Sequence, residues 1–145
     1  MTDAVALLDS DTLSELARGQ PRVVNRSRQY LERHGRLTLS SITVFERLRG
    51  YRSALRRGKP FEAQLGQFLL LCEASVVLGV DQDVADHAAT IWASAGTRLR
   101  ACVEDVLIAA TASAHRLTLV TRNRRDFEPM SRVAPFHFPV VDWCR

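Results

Sequence analysis

The chain has 145 residues, 46% of them hydrophobic and 25% charged, with a formal net charge of +4. This suits one domain with a sizeable core, so residues 1–145 are read as a single domain. No apolar run approaches the roughly 20 residues that span a bilayer. Met1-Thr2-Asp3-Ala4 lacks the basic start of a signal peptide, so a cytoplasmic protein without membrane association is expected. Cys72, Cys102 and Cys144 are odd in number and show no CxxC spacing, which reads as thiols in a reducing compartment. The positive charge is nearly all arginine, since Lys59 is the sole lysine, and arginine suits contact with phosphate.

Val5-Ala6-Leu7-Leu8 is a short apolar run that stops at Asp9 and reads as a buried strand. Ser10 or Asp11 is placed to cap a helix beginning at Thr12-Leu13. A second helix fits Arg22 to His34, stopped by Gly35. Leu37 to Ser40 is the next strand. Ser41 is then the expected N-cap of a helix whose apolar stripe is Ile42, Phe45, Leu48 and Leu55. Phe61, Leu65, Phe68, Leu69 and Cys72 repeat that spacing in a further helix. Val76 to Val80 reads as a third strand, followed by a helix capped by Asp81 or Asp83, with Val84, Ala88, Ile91, Trp92 and Ala95 on its core side. Val103 to His115 is a helix of small residues, and Leu117 to Thr121 a fourth strand. Pro139-Val140-Val141 suits a short fifth strand. Strands alternating with helices imply an α/β fold with a mainly parallel sheet of four to five strands. Chemistry in such sheets gathers at the carboxyl ends of the strands.

Four acids stand where such a site would form. Asp9 ends the first strand, Asp105 opens an apolar helix, and Asp126 follows the fourth strand, with Asn123 between. Glu46 lies one turn inside the helix after strand two. Each has a plain structural reading as well. Asp9 can cap a helix, Asp105 can answer a helix dipole, Glu46 can pair with Arg49, and Asp126 sits in a polar, arginine-rich turn. Together they form a set of hard oxygen donors with no histidine or cysteine. That set suits Mg²⁺ or Mn²⁺, which activates water for attack at phosphorus.

At these residues the chain resembles the PIN-domain family, in particular the VapC-type ribonuclease toxins of toxin–antitoxin pairs. Leu7-Leu8-Asp9-Ser10-Asp11-Thr12 resembles the family's opening, an apolar strand ending in the first catalytic aspartate. Ser40-Ser41-Ile42-Thr43-Val44-Phe45-Glu46 resembles the second motif, with its glutamate at Glu46. Asp105-Val106-Leu107-Ile108-Ala109-Ala110-Thr111-Ala112 matches the third, and Leu119-Val120-Thr121-Arg122-Asn123-Arg124-Arg125-Asp126 the fourth. The resemblance implies a three-layer α/β/α fold and Mg²⁺- or Mn²⁺-dependent endonucleolytic cleavage of RNA, often tRNA or ribosomal RNA. It also implies a cognate VapB-type antitoxin and a homodimer. Asp9 and Asp105 would ligate metal, and Glu46 would hold metal or its water. The fourth place falls either to Asn123, where many relatives carry an acid, or to Asp126 three residues on. The sequence departs from the pattern at Asp11, where asparagine is common. The extra acid adds negative charge or caps a helix.

Arg122, Arg124 and Arg125 adjoin the proposed site and are expected to meet substrate phosphate. The segment Arg47, Arg49, Arg52, Arg56, Arg57 and Lys59 suits the RNA backbone, an acidic antitoxin segment, or a solvated face. His34, His87, His115 and His137 show no ligand spacing. Two other readings compete. A PIN-like module could bind RNA or protein without cutting. Asp9-Ser10-Asp11-Thr12 also resembles the start of haloacid-dehalogenase-type phosphatases, but the threonine falls one residue too early.

Overall fold

The structure is a computed structural model that describes residues 4–94 and 103–145. In chain order it contains β1 (Ala6–Leu8), α1 (Ser10–Ala17), α2 (Pro21–His34), β2 (Thr38–Ser40), α3 (Ser41–Arg56), α4 (Glu62–Glu73) and β3 (Val76–Leu78). Then follow α5 (Gln82–Ser94), α6 (Val103–His115), β4 (Thr118–Val120), α7 (Arg124–Val133) and β5 (Val140–Val141). The five strands form one sheet in the order β3-β2-β1-β4-β5, and every neighbouring pair is parallel. This is the expected α/β architecture, with helices on both faces.

Parallel strands covered on both faces are apolar throughout rather than alternating. β1 shows this directly, because Ala6, Leu7 and Leu8 are all buried. Leu7 and Leu119 look into one layer, where Ile91 of α5, Ile108 of α6 and Phe127 and Met130 of α7 close the core. Ala6, Leu8, Leu39 and Val120 look into the other, against Leu13 of α1, Val23 and Tyr30 of α2, and Phe68 of α4. Trp143 is buried in this second layer, its ring 5.8 Å from that of Tyr30.

Local chemistry explains the helix ends. Gln20 accepts from the Val23 amide at 2.8 Å and starts α2, with Pro21 at its first position. Gly35 takes φ 77° and ends it, a conformation that favours glycine. Asp81 accepts from the Val84 amide at 2.9 Å and caps α5, one of the two caps expected.

Four expectations need correction. Helix α1 starts at Ser10 with Asp9 as its cap, not at Thr12 with Ser10 or Asp11. The cap of α3 is Ser40, whose hydroxyl accepts from the Thr43 amide at 3.0 Å, not Ser41. The arginine-rich turn after β4 is the start of a ten-residue helix, α7, which continues through Pro129. Phe45 and Leu69, expected in apolar stripes, are 52% and 40% exposed. Helix α3 bridges two layers, with Ile42 packing on the first core and Val44 and Leu48 on the second, so Phe45 falls outside both. The Arg49 guanidinium covers its ring at 4.9 Å. Ala95 and Cys102 lie outside the described residues. Among those described, no helix is long and apolar enough to cross a membrane.

Candidate active site

The strand order reverses direction between β1 and β4, and the carboxyl ends of these strands open a crevice at that switch point. Asp9 follows β1 directly, and its amide donates to Val120 O at 2.9 Å, extending the β1–β4 ladder to the crevice edge. Its side chain is fixed on both oxygens. Oδ1 accepts from the Ser10 amide at 2.8 Å, and Oδ2 accepts from the Thr121 hydroxyl at 3.0 Å. Asp9 is therefore both helix cap and candidate site residue, and the two readings of the sequence describe one geometry.

Asp9 is only 7% exposed. Burial first, and the neighbouring Asp11 carboxylate second, push its carboxyl up to about 7. The hydrogen bonds from Ser10 and Thr121 work against that rise, because they favour the charged form.

Asp11 is the acid that the motif comparison placed outside the set, and the structure brings it in. Its Oδ2 accepts from the Arg122 amide at 3.0 Å and lies 3.3 Å from the Thr121 hydroxyl. Thr121 has one hydroxyl proton for two carboxylates, and Asp9 is the nearer. The same oxygen accepts from the Asn123 amide at 3.0 Å, so a fully buried threonine joins both strand ends. Thr121 was legible only as the last residue of a strand. Its hydroxyl could not be assigned a role without its neighbours.

The remaining acids enter from three helices. Glu46 projects from α3, and its carboxyl is raised by burial first, then by Asp105 and Glu104. Its Oε1 is buried without a hydrogen-bond partner among the described residues. Asp105, in the first turn of α6, is raised by burial first, then by Asp126 and Glu104, and then by Asp11. Asp126, in the first turn of α7, accepts from the Asn123 side-chain amide at 3.0 Å. Asp9, Glu46, Asp105 and Asp126 are thus linked by charge in pairs, Glu46 to Asp9 and to Asp105, and Asp126 to Asp105. Among the described residues, no three acidic, histidine or cysteine side chains stand close enough together to hold a metal ion. Glu104 turns outward to Arg49 at 3.0 Å, and that hydrogen bond holds its carboxyl below the usual range.

Two of the three arginines expected on phosphate have other partners. Arg122 Nη1 lies 2.8 Å from Glu15, and Arg124 Nη2 lies 2.6 Å from Glu128. Arg125 is exposed and makes no ion pair among the described residues.

Burial and neighbouring charge therefore drive Asp9, Glu46 and Asp105 toward protonation. Such an arrangement binds protons or a cation and costs the fold stability otherwise.

No curated protein sequence matches the chain. A chain of the DNA-bound VapBC structure from Salmonella typhimurium is 26% identical, with a TM-score of 0.74 over 97% of this chain and 99% of that one. A chain of FitAcB from Neisseria gonorrhoeae is 28% identical, with a TM-score of 0.72 over 95% and 97%. A toxin–antitoxin complex from Klebsiella pneumoniae contributes a third neighbour, 26% identical, with a TM-score of 0.56 over 84% and 89%. The PIN domain profile matches residues 6–134, a span that contains every acid of the crevice. With that match over most of its length, and with its acids at the end of β1, on α3 and at the starts of α6 and α7, the chain belongs to the PIN domain family.

Proposed function

We propose that this protein is the toxin of a toxin–antitoxin pair, an endoribonuclease that hydrolyses phosphodiester bonds in cellular RNA, of the tRNA or ribosomal class. The observation that carries the reading is the meeting of Asp9, Asp11, Glu46, Asp105 and Asp126 in one crevice, with Asp9 raised to about 7.

A divalent cation fits this donor set. The acids offer hard oxygens, and Glu46 Oε1 is buried with no partner to satisfy it. Among the described residues no three acidic, histidine or cysteine side chains already stand at coordinating distance, so binding requires carboxylate rotation. Asp9, Asp105 and Glu46 are the residues assigned to hold Mg²⁺ or Mn²⁺. When bound, the ion lowers the pKa of a water and stabilises charge at the phosphorus. The chain's own residues prepare that chemistry. Thr121 and the Ser10 amide aim the two oxygens of Asp9, and Asn123 holds Asp126 beside Asp105.

The partner is an antitoxin of the VapB class, and the toxin forms a homodimer. The solved relatives named as VapBC, FitAcB and a toxin–antitoxin complex support the first assignment. An apolar surface supports a partner in general, because Leu69, Leu70, Val76 and Val77 stand exposed on α4 and the edge strand β3.

The test is direct. Purified protein should cut RNA with Mg²⁺ or Mn²⁺, and EDTA, Asp9→Ala or Asp105→Ala should abolish cleavage. RNA binding without cleavage in either metal would replace this reading with a non-catalytic binding module. Release of phosphate from a small phosphomonoester through Asp9 would replace it with a phosphatase.

A further inference from the structure

Helix α3 ends at Arg56, and Gly58, at φ 75°, turns the chain back so that the Lys59 amide donates to Ala54 O at 3.0 Å. The returning segment borders an open, shallow cleft of about 410 Å³. Glu46 of the acid set is part of its lining, Tyr51 and Phe61 supply rings, and Arg57 and Lys59 supply charge. The two rings are tilted by 39°, with centroids 6.4 Å apart.

Most cations near the catalytic crevice are already engaged. Arg49, Arg122 and Arg124 pair with carboxylates. Arg47 lines the same cleft, but its guanidinium is fixed. Nη1 donates to Ser10 O and to the Ser14 hydroxyl, and Nη2 donates to the Tyr51 hydroxyl at 2.6 Å. Arg47 therefore holds the Tyr51 ring in place and does not reach out. Arg57 and Lys59 are exposed and make no ion pair among the described residues. Two unengaged cations beside two aromatic rings, on a path leading to a catalytic acid, match the chemistry of a single strand. Backbone phosphate takes the charge and an unstacked base takes the ring.

We propose that this cleft is the subsite for a single-stranded RNA nucleotide flanking the scissile phosphate, with its base against Tyr51 and Phe61 and its phosphate on Arg57 and Lys59. The proposal rests on the ribonuclease reading above and names where the substrate strand runs. Arg47 and Phe68 back the Tyr51 ring from within the protein, and the half-buried Phe61 ring beside it is the surface a base would meet. An acidic peptide would use the two cations but has no need of that ring, so RNA is favoured over protein.

The experiment is fluorescence anisotropy of the full chain with a labelled 12-nucleotide single-stranded RNA in Ca²⁺, across a salt series. Arg57→Gln with Lys59→Gln should raise Kd about tenfold and lower the salt slope by about 1.4, as expected for two lost single-strand phosphate contacts. Phe61→Ala should raise Kd about tenfold with an unchanged slope, and Phe61→Trp should restore binding. In cleavage assays the same variants should raise KM and leave kcat in place. Unchanged Kd and slope would overturn the proposal, as would an equal loss on a duplex of the same length. A larger loss for a 12-residue polyglutamate than for RNA would overturn it in favour of a protein partner. If the wild type binds RNA through these residues but cuts none, the ribonuclease reading falls and the cleft stands as a single-strand RNA-binding site without a scissile phosphate beside it. If cleavage persists with KM unchanged in every variant, the subsite alone falls.

Discussion

Asn123 donates its side-chain amide to Asp126 Oδ2 at 3.0 Å. The two residues that compete for the fourth place in the sequence therefore act as a pair. Asp126 carries the charge and, after burial, is the largest cause of the raised Asp105 carboxyl. Asn123 orients it. Outer groups that orient ligands commonly contribute about ten- to a hundredfold in metal affinity or activity. Asp126→Asn should lower kcat/KM within that range, and Asn123→Ala should lower it less. Cleavage rates at saturating Mg²⁺ check this, and an unaltered rate in Asp126→Asn would move the role elsewhere.

Asp9 links the site to stability. Its carboxyl rises from 3.8 to about 7 on folding, so the folded chain binds this proton more tightly than the unfolded chain. The folded state is therefore favoured at low pH and loses that advantage as pH climbs from about 4 to about 7, and the full cost persists above. The upper bound is on the order of 4 kcal/mol. Asp9→Asn removes the charge and keeps an oxygen for the Ser10 amide. In EDTA at pH 8 the variant should melt about 5 °C or more above the wild type, and the gap should close near pH 4. Adding Mg²⁺ should raise the wild-type Tm and leave the variant's in place. Calorimetry across pH decides the matter; equal Tm values at pH 8 in EDTA would show that Asp9 carries no such burden.

Asp11 offers a test of the departure from the family pattern. Its carboxylate is the second cause of the Asp9 shift and also contributes to those of Glu46 and Asp105. Asp11→Asn keeps an acceptor for the Arg122 amide and removes one charge. The Mg²⁺ concentration for half-maximal cleavage should rise about tenfold, with folding intact. The same Mg²⁺ dependence in variant and wild type would leave Asp11 a turn-fixing residue only.

Helix α7 depends on Phe127, which is fully buried against the first core layer. Phe127→Ala should cost about 3–5 kcal/mol in urea unfolding. It should also depress cleavage, because Asp126 rides on the same helix. A cost below about 1 kcal/mol would mean that the core does not anchor α7.

Long periodic segments were readable because burial and period coincide. The boundaries of α2 were nearly right, since Gly35 supplies an unmistakable stop. β1 and β4 were legible as apolar runs because both faces of the sheet are covered there, whereas β3 is an equally apolar run whose Val76 and Val77 stand exposed at the sheet edge. α7 was not legible, because Pro129 and four charged residues near its start imitate a turn. Its buried Phe127, Met130 and Ser131 acquire meaning only from the layer they meet. Phe45 fails for a related reason, since helical spacing predicts a shared face only where one layer receives the whole helix.

By itself the sequence determined the α/β alternation, the parallel sheet and the motif acids Asp9, Glu46 and Asp105. Local pattern carries those features, through apolar period, strand-end polarity and motif order. Only the tertiary structure decided which charges share one crevice. It placed Asp11 beside Asp9, joined Asn123 to Asp126, and occupied Arg122 and Arg124 with glutamates. These are relations between residues distant in the chain or on different faces of one turn. Electrostatic energy depends on their separation in space and on burial, and chain spacing specifies neither.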